Sequence, residues 1–181
     1  LNKKGLEDES FAAYDSCLQW KDDNVAALNN YAYYISLKGK ELHKAEQMSF
    51  KTIKAEPKNG TYLDTYAWIL FMEERYHEAK IYIDQAIANL DSTQNNNTVI
   101  EHAGDIYAMN GLTEEALKFW KQSYDAGNKS EGIMTKIKNK RYITEEEIKR
   151  MTGGSAVTPD RKSQSRSGAK KNNKLRNGKK K

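Results

Sequence analysis

The chain contains three similar segments at a nearly constant spacing, and this repetition limits the folds that it can adopt. Each segment places a large apolar residue and then a small residue on one face of a helical pattern. The segments are Leu28–Ile35, Leu63–Leu70 and Ile100–Tyr107. Their small residues, Ala32, Ala67 and Gly104, lie 35 and 37 residues apart. A period of this length is typical of a solenoid, in which short helical units stack on one another.

A second set of small residues opens a second helix in each unit. Ala45, Ala79 and Ala116 recur after 34 and 37 residues, and Ser49, Ile83 and Trp120 follow them by four positions. A unit of 34 residues explains these spacings if extra residues lie in the turn at 39–44 and in the polar run at 94–97. Turns tolerate insertions well.

The periodicity throughout these units is helical. Leu28, Tyr31 and Ile35 follow one another at i, i+3 and i+7, which forms one stripe of a helix. Only two prolines interrupt the chain, and no stretch alternates like a strand for more than a few residues. The sequence therefore predicts an all-α protein in which the small residues allow paired helices to approach closely.

These residues resemble the tetratricopeptide family, whose repeat contains a W-x2-L-G-x2-Y motif followed by A-x3-F and a proline. The match covers about residues 1–130 and is best where Gly104 and Tyr107 precede Ala116 and Trp120. Leucine or isoleucine replaces the first tryptophan, and Ser49 replaces an aromatic residue. The resemblance implies a right-handed α-solenoid of antiparallel helix hairpins.

Six ranges divide the predicted architecture. The first is a partial repeat, because Ser10, Tyr14 and Cys17 align with second-helix positions and a first helix is missing. We therefore expect this chain to be the C-terminal part of a longer bacterial tetratricopeptide protein. The ranges are 1–24 for the partial repeat, 25–59, 60–96 and 97–130 for complete repeats, 131–151 for capping helices and 152–181 for a disordered tail.

The last two ranges differ sharply in character. Ile133, Met134 and Ile137 form an apolar face that predicts a helix capping the last repeat. Thr144 and Glu147 fit a capping box for a short further helix.

Residues 161–181 carry ten Lys and Arg residues and no acidic residue, whereas residues 1–160 have a net charge of −5. An acidic body thus precedes a basic tail, which we expect to be disordered.

The chain lacks the residue patterns of a catalytic or metal site. His43, His77 and His102 are far apart, none of them at the i, i+4 spacing of a zinc-binding helix, and Cys17 is the only cysteine. We find neither a glycine-rich phosphate loop nor a nucleophile elbow. The sequence therefore predicts no enzyme, no cofactor and no metal, and the histidines are interpreted as ordinary surface or half-buried residues.

The tetratricopeptide resemblance implies that the first helices of successive repeats line a concave groove. Trp68 and Phe71 either face a partner there or pack between neighbouring helices. The carboxylates of the groove either select basic partner residues, lie solvated, or favour a helix N-terminus through its dipole. The predicted groove residues are Asn29, Tyr33, Ser36, Asp64, Trp68, Phe71, Met72, Glu101, Asp105 and Met109.

An aromatic and acidic groove suits an extended partner segment with Lys or Arg and apolar side chains. Because the groove positions carry no Lys or Arg, binding of a partner's C-terminal carboxylate is disfavoured. The alternative function is binding of an anionic surface or nucleic acid through the tail at 161–181, which has no aromatic residue to stack on bases.

We expect the protein to lie in the bacterial cell envelope, on its periplasmic side, and the cytoplasm is the alternative location. The longest apolar run has seven residues, whereas a membrane span needs about 20.

Overall fold

A computed structural model of the chain describes residues 24–152. Within this range the protein consists of eight α-helices and contains no strand. The helices are α1 (Val25–Leu37), α2 (Leu42–Ala55), α3 (Gly60–Met72), α4 (Tyr76–Ala88), α5 (Asn97–Met109), α6 (Thr113–Asp125), α7 (Glu131–Asn139) and α8 (Glu145–Thr152).

The first six helices form three hairpins that stack in chain order. Within each hairpin, α1 packs on α2, α3 on α4, and α5 on α6. Between hairpins, α3 contacts both helices of the first pair and α5 contacts both helices of the second, so that α1, α3 and α5 lie in a row. At the end of the stack, α7 packs on α6. The predicted all-α solenoid is confirmed, and one hairpin falls within each of the ranges 25–59, 60–96 and 97–130.

Side-chain oxygen atoms start several of the helices. The Oδ1 atom of Asn24 accepts a hydrogen bond from the Ala27 amide, and that of Asn59 accepts from the Thr61 and Tyr62 amides. Ser130 caps α7 in the same way through its Oγ atom. Each cap satisfies an amide that the helix itself leaves unpaired, which stabilises a helix by about 1 kcal/mol.

The turn inside each hairpin reverses the chain through a residue in the left-handed region. Gly111 has φ +78°, and the amides of Gly111 and Leu112 close α5 with hydrogen bonds to the carbonyls of Ala108 and Tyr107. The equivalent turn after α3 has the same two bonds, although its left-handed residue is Glu74, at φ +62°. This Schellman geometry holds the second helix against the first.

Small residues bring the paired helices together, as the repeat predicts. Ala32, Ala67, Ala45, Ala79 and Ala116 are fully buried. Gly104 is the most demanding of these positions, because a Cβ atom there would overlap the indole ring of Trp120. Trp120 itself is fully buried, so the space that Gly104 leaves empty is filled by the largest side chain of α6.

The capping helix α7 turns a different face inward from the one predicted. Ile133 is buried, but Met134 is 44% exposed and Lys136 is only 5% exposed. The expectation that Met134 belongs to the buried face is therefore wrong, and Lys136 takes that place because two carboxylates of α5 receive its ammonium group. In α8, Thr144 caps the Glu147 amide as predicted, whereas the Glu147 carboxylate binds Arg141 instead of closing a capping box.

Two predictions concern parts of the chain that lie outside the described residues. They are the partial repeat, of which residues 1–23 are not described, and the basic tail from residue 153 onward. Between residues 24 and 152, no helix is both long enough and apolar enough to cross a membrane.

Candidate functional site: the concave cavity

The concave side of the stack holds a cavity of about 510 Å³. The first helices α1, α3 and α5 form one wall, and α7, α8 and the loop between them form the other. The lining residues from the first wall are Tyr33, Leu37, Trp68, Thr98, Glu101, His102 and Asp105, and those from the second include Gly132, Lys136, Tyr142, Ile143, Glu145 and Ile148.

A stack of three rings lies at the floor of this cavity, and two of them, those of Trp68 and His102, line it. The indole of Trp68 lies between the ring of Phe71, with centroids 4.8 Å apart, and the imidazole of His102, with centroids 4.0 Å apart. Both stacks are nearly parallel, with interplanar angles of 16°. Trp68 is 8% exposed, so it touches the cavity only at an edge and contributes mainly to packing between α3 and α5. Its Nε1 atom is buried and has no hydrogen-bond partner among the described residues.

A buried ion pair joins the same two helices. The Nδ1 atom of His102 lies 2.9 Å from Oδ1 of Asp64, and both side chains are more than nine-tenths buried. Burial alone would lower the pKa of His102. The carboxylates of Asp64, Asp105 and Glu101 outweigh that effect and raise the pKa above its ordinary value. In its protonated form the imidazole therefore holds α5 against α3 electrostatically as well as by stacking.

A second charged cluster ties α7 to α5. The Nζ atom of Lys136 donates to Oδ2 of Asp105 at 2.7 Å and to Oε1 of Glu101 at 2.8 Å. Burial opposes the charge on Lys136, but the two carboxylates raise its pKa above the ordinary value. The other oxygen of Asp105 accepts from Nε1 of Trp120, and that of Glu101 accepts from the Asn128 amide. All four carboxylate oxygens thus have partners within the protein.

The chain returns to the concave side after α7. Lys140, at φ +53°, reverses its direction, and Tyr142 then packs edge-on against Phe71 of α3 with ring centroids 5.2 Å apart. Ile143 is buried, and the Cδ1 atom of Ile148 approaches Gly132 so closely that a Cβ atom there would lie 3.3 Å away. We call residues 140–152 the C-terminal strap, because they cross the groove from α7 and line its cavity.

The structure brings only part of the predicted groove set to this cavity. Tyr33, Trp68, Glu101 and Asp105 line it. Of the ten predicted residues, six are buried: Asn29, Ser36, Asp64, Trp68, Phe71 and Asp105. These six side chains are covered by neighbouring helices, and of them only Trp68 and Asp105 reach the cavity. Of the two alternatives for Trp68 and Phe71, both residues match the second, because they pack between neighbouring helices.

The remaining predicted residues differ in their positions. Tyr33 and Glu101 are half-buried at the cavity, where burial and the carboxylates of Asp64 and Glu101 raise the pKa of Tyr33 to about 12, so its hydroxyl stays neutral. Met72 is half-buried against the core. Met109 is exposed and lines a separate depression beside Arg75 and Asn110, so it does not belong to the cavity.

The most informative residues of the site are ones that the sequence reasoning did not select. The sequence predicts an ordinary surface or half-buried histidine at 102 and places Lys136 and Tyr142 in a simple cap, whereas all three line the cavity and His102 is buried. The first-helix positions of the groove carry no Lys or Arg, but Lys136 and Lys149 line the cavity from α7 and α8. A lysine three residues after Ile133 on an apolar helix face is the one sequence signal that points to a buried ion pair.

The arrangement is suited to holding side chains rather than to bond chemistry. Apart from His102, the lining contains four carboxylates, of Glu101, Asp105, Glu131 and Glu145, against the two ammonium groups of Lys136 and Lys149. The cavity is therefore negative and partly aromatic. No group of three or more His, Cys, Asp or Glu side chains between residues 24 and 152 could hold a metal ion.

Solved structures with the same arrangement of helices are tetratricopeptide proteins. A thermophilic tetratricopeptide protein from Thermus thermophilus, TTC0263, superimposes with a TM-score of 0.60 at 12% identity, over 76% of this chain and 74% of that one. This chain has the tetratricopeptide fold. MamA, with a TM-score of 0.59 at 17% identity over 76% of this chain and 78% of its own, has the same fold. No protein-family model matches the sequence, and no curated protein matches it.

Proposed function

We propose that this tetratricopeptide stack is a scaffold that binds a segment of another protein on its concave side. The observation that supports the proposal is the cavity of about 510 Å³ between the first helices and the C-terminal strap. A cavity of this size accepts one or two side chains, and protein interfaces draw most of their binding energy from a few such anchors.

The lining indicates which side chains fit. Tyr33, Leu37 and the edge of Trp68 offer apolar and aromatic surface on the wall of first helices, while the carboxylates of the lining outnumber its ammonium groups. A partner segment with Lys or Arg beside apolar residues matches both features. The buried carboxylates of Asp64 and Asp105 do not take part directly, because His102 and Lys136 already hold them.

We also infer that the chain is not an enzyme. The buried titratable side chains beside the groove form the pairs His102–Asp64 and Lys136–Asp105, which hold helices together, and neither pair leaves a nucleophile or base directed at a common reaction centre. A location at the bacterial cell envelope stays a prediction, as does binding through the basic tail.

The test uses the full chain as bait for interacting proteins, with two charge-adding variants. Leu37→Arg places a cation at the cavity from a side chain that is 48% exposed, so the fold should tolerate it. Ile81→Arg is the control, because Ile81 is 58% exposed on α4 and does not line the cavity. We expect Leu37→Arg to reduce the captured partner at least tenfold and Ile81→Arg to retain it.

Equal capture by both variants would place the partner on another surface. The same capture with residues 153–181 removed separates groove binding from tail binding. If only the removal of the tail abolishes capture, and the full chain captures more partner in low salt, the result would support the alternative function. That function is binding of an anionic surface or nucleic acid through the tail.

A further inference from the structure

The C-terminal strap occupies the surface on which the proposed partner would bind. Tyr142 lies against Phe71 of α3, and Ile143 is buried beside it. Glu145 and Ile148 line the cavity opposite Tyr33 of α1. The strap thus reaches from α7 past α5 to contact α3, and it lines the same cavity as α1, which is farther than capping the last repeat requires.

The strap also carries the chemistry that the groove is proposed to recognise. Its residues Lys140, Arg141, Tyr142 and Ile143 are two basic side chains followed by an aromatic and a branched aliphatic one. The aromatic and aliphatic side chains are turned into the groove, whereas Arg141 is exposed and binds Glu147. The chain therefore already shows how the aromatic and aliphatic residues of such a segment lie on the concave face.

We propose that the C-terminal strap is an intramolecular ligand of the concave groove, and that a partner segment of the same kind, basic residues followed by an aromatic and a branched aliphatic residue, binds by displacing it. This inference rests on the proposed function of the groove. It adds the sequence class of the ligand and a reason why binding is regulated.

The contacts that hold the strap are limited in number. Among the helices, α8 packs chiefly on α7, and its Met151 is exposed. The charged pairs within the strap, Arg141 with Glu147 and Lys149 with Glu145, are at the surface and contribute little. Tyr142, Ile143 and Ile148 thus provide most of the attachment. A short tether keeps the strap near the groove at an effective concentration of about millimolar, so a partner competes against that value.

The experiment uses a fluorescently labelled peptide of residues 139–152 and the full chain. In the wild-type protein the tethered strap should keep the peptide out. In the Tyr142→Ala variant the strap is weakened, and we expect the peptide to bind at least tenfold more tightly by fluorescence anisotropy. The matched control is the same peptide carrying Tyr142→Ala, which should bind neither protein.

A second pair of variants covers the case in which Tyr142→Ala disturbs the fold, as judged by circular dichroism. Ile148→Ser loosens the strap at α7, and Met151→Ser changes an exposed residue of the same helix. Ile148→Ser should increase peptide binding at least tenfold, and Met151→Ser should leave it at the wild-type level.

Two results would overturn the inference. One is a peptide that binds wild type and the strap variants equally, and the other is a peptide that binds none of them. If Leu37→Arg nevertheless abolishes partner capture, the groove is a binding site whose ligand differs from the strap. If the peptide binds the strap variants but Leu37→Arg does not affect capture, the strap is a ligand and the captured protein uses another surface.

Discussion

In the ion pair between α5 and α7, the Nζ atom of Lys136 lies 2.7 Å from the Oδ2 atom of Asp105, and both side chains are almost completely buried. Burial removes most of the water that would otherwise solvate these charges, so each depends on the other for its stability. The pair is the electrostatic link between the last repeat and its cap, and the hydrogen bond from Trp120 to Asp105 extends this link to α6.

Replacing Lys136 by methionine should destabilise the protein strongly. The variant keeps most of the side-chain volume but leaves the Asp105 carboxylate buried without a cation, which costs about 3–5 kcal/mol. Urea unfolding followed by circular dichroism measures this. Lys138→Met on the exposed side of the same helix is the control and should change stability by less than about 0.5 kcal/mol. Similar losses in both variants would mean that the pair contributes nothing specific.

The link between α3 and α5 should depend on pH. The folded-state pKa of His102 is raised, so the free-energy contribution of its pair with Asp64 is fully present below the ordinary histidine pKa of about 6.5 and is lost as the pH rises through the folded-state value. As the pH rises above about 6.5, we expect the urea midpoint of the wild type to fall more than that of His102→Gln. His43→Gln, at an exposed position of α2, should follow the wild type. Parallel pH profiles for wild type and His102→Gln would rule out this electrostatic role.

Adding one methyl group at Gly104 should be costly although alanine favours helices. The helix preference alone would stabilise Gly104→Ala by about 1 kcal/mol. The overlap with Trp120 requires a shift of the helix pair, for which about 1–3 kcal/mol is typical, so the net result should be a loss of stability. Gly132→Ala should cost less, because the closest atom to the added Cβ, at 3.3 Å, is the flexible end of the Ile148 side chain.

A double-mutant cycle tests whether Trp120 causes that loss. In the presence of Trp120→Leu, the added methyl group has room, so Gly104→Ala should cost less than it does in the wild type by about 0.5–3 kcal/mol. Additive effects of the two substitutions would show that Gly104 is required for some reason other than the indole.

Trp68 should behave as a core residue. Trp68→Ala removes the ring that stacks on both Phe71 and His102 and should lower the free energy of unfolding by about 3–5 kcal/mol. Trp68→Phe retains a stacked ring and removes the unpaired Nε1 group, so it should cost much less. Thermal unfolding of the two variants distinguishes them. If Trp68→Ala leaves the free energy of unfolding unchanged, Trp68 is not a core residue, and the interpretation that it faces a partner in the groove would be favoured.

The repeat could be predicted from the sequence because its determinants are local and recur. Ala32, Ala67 and Gly104 occupy equivalent positions, so the same close approach of helices is encoded three times, and the period reveals it. The position of Trp68 could not be decided in this way. A stripe at i, i+4 and i+7 lies on one helix face, but the width of the gap to the next first helix determines whether that face is open.

The cap was predicted as a helix, but its inward face depended on partners distant in sequence. Met134 and Lys136 lie on either side of Ile133 and Ile137, and hydrophobicity alone favours Met134. Lys136 is buried instead because Glu101 and Asp105, more than 30 residues earlier, satisfy its charge. Tyr142 is a similar case, since its contact with Phe71 spans two hairpins and leaves no periodic signal.

That contact between Tyr142 and Phe71 also changes the mechanics of the stack. A solenoid whose units touch only their neighbours bends and stretches like a spring, with each joint yielding independently. Here the strap ties α3 to the far end of the array, so any bending that widens the groove must first stretch this brace. While the strap is bound, the last two repeats should therefore bend together as one unit. When the strap leaves the groove, each repeat should be free to bend independently.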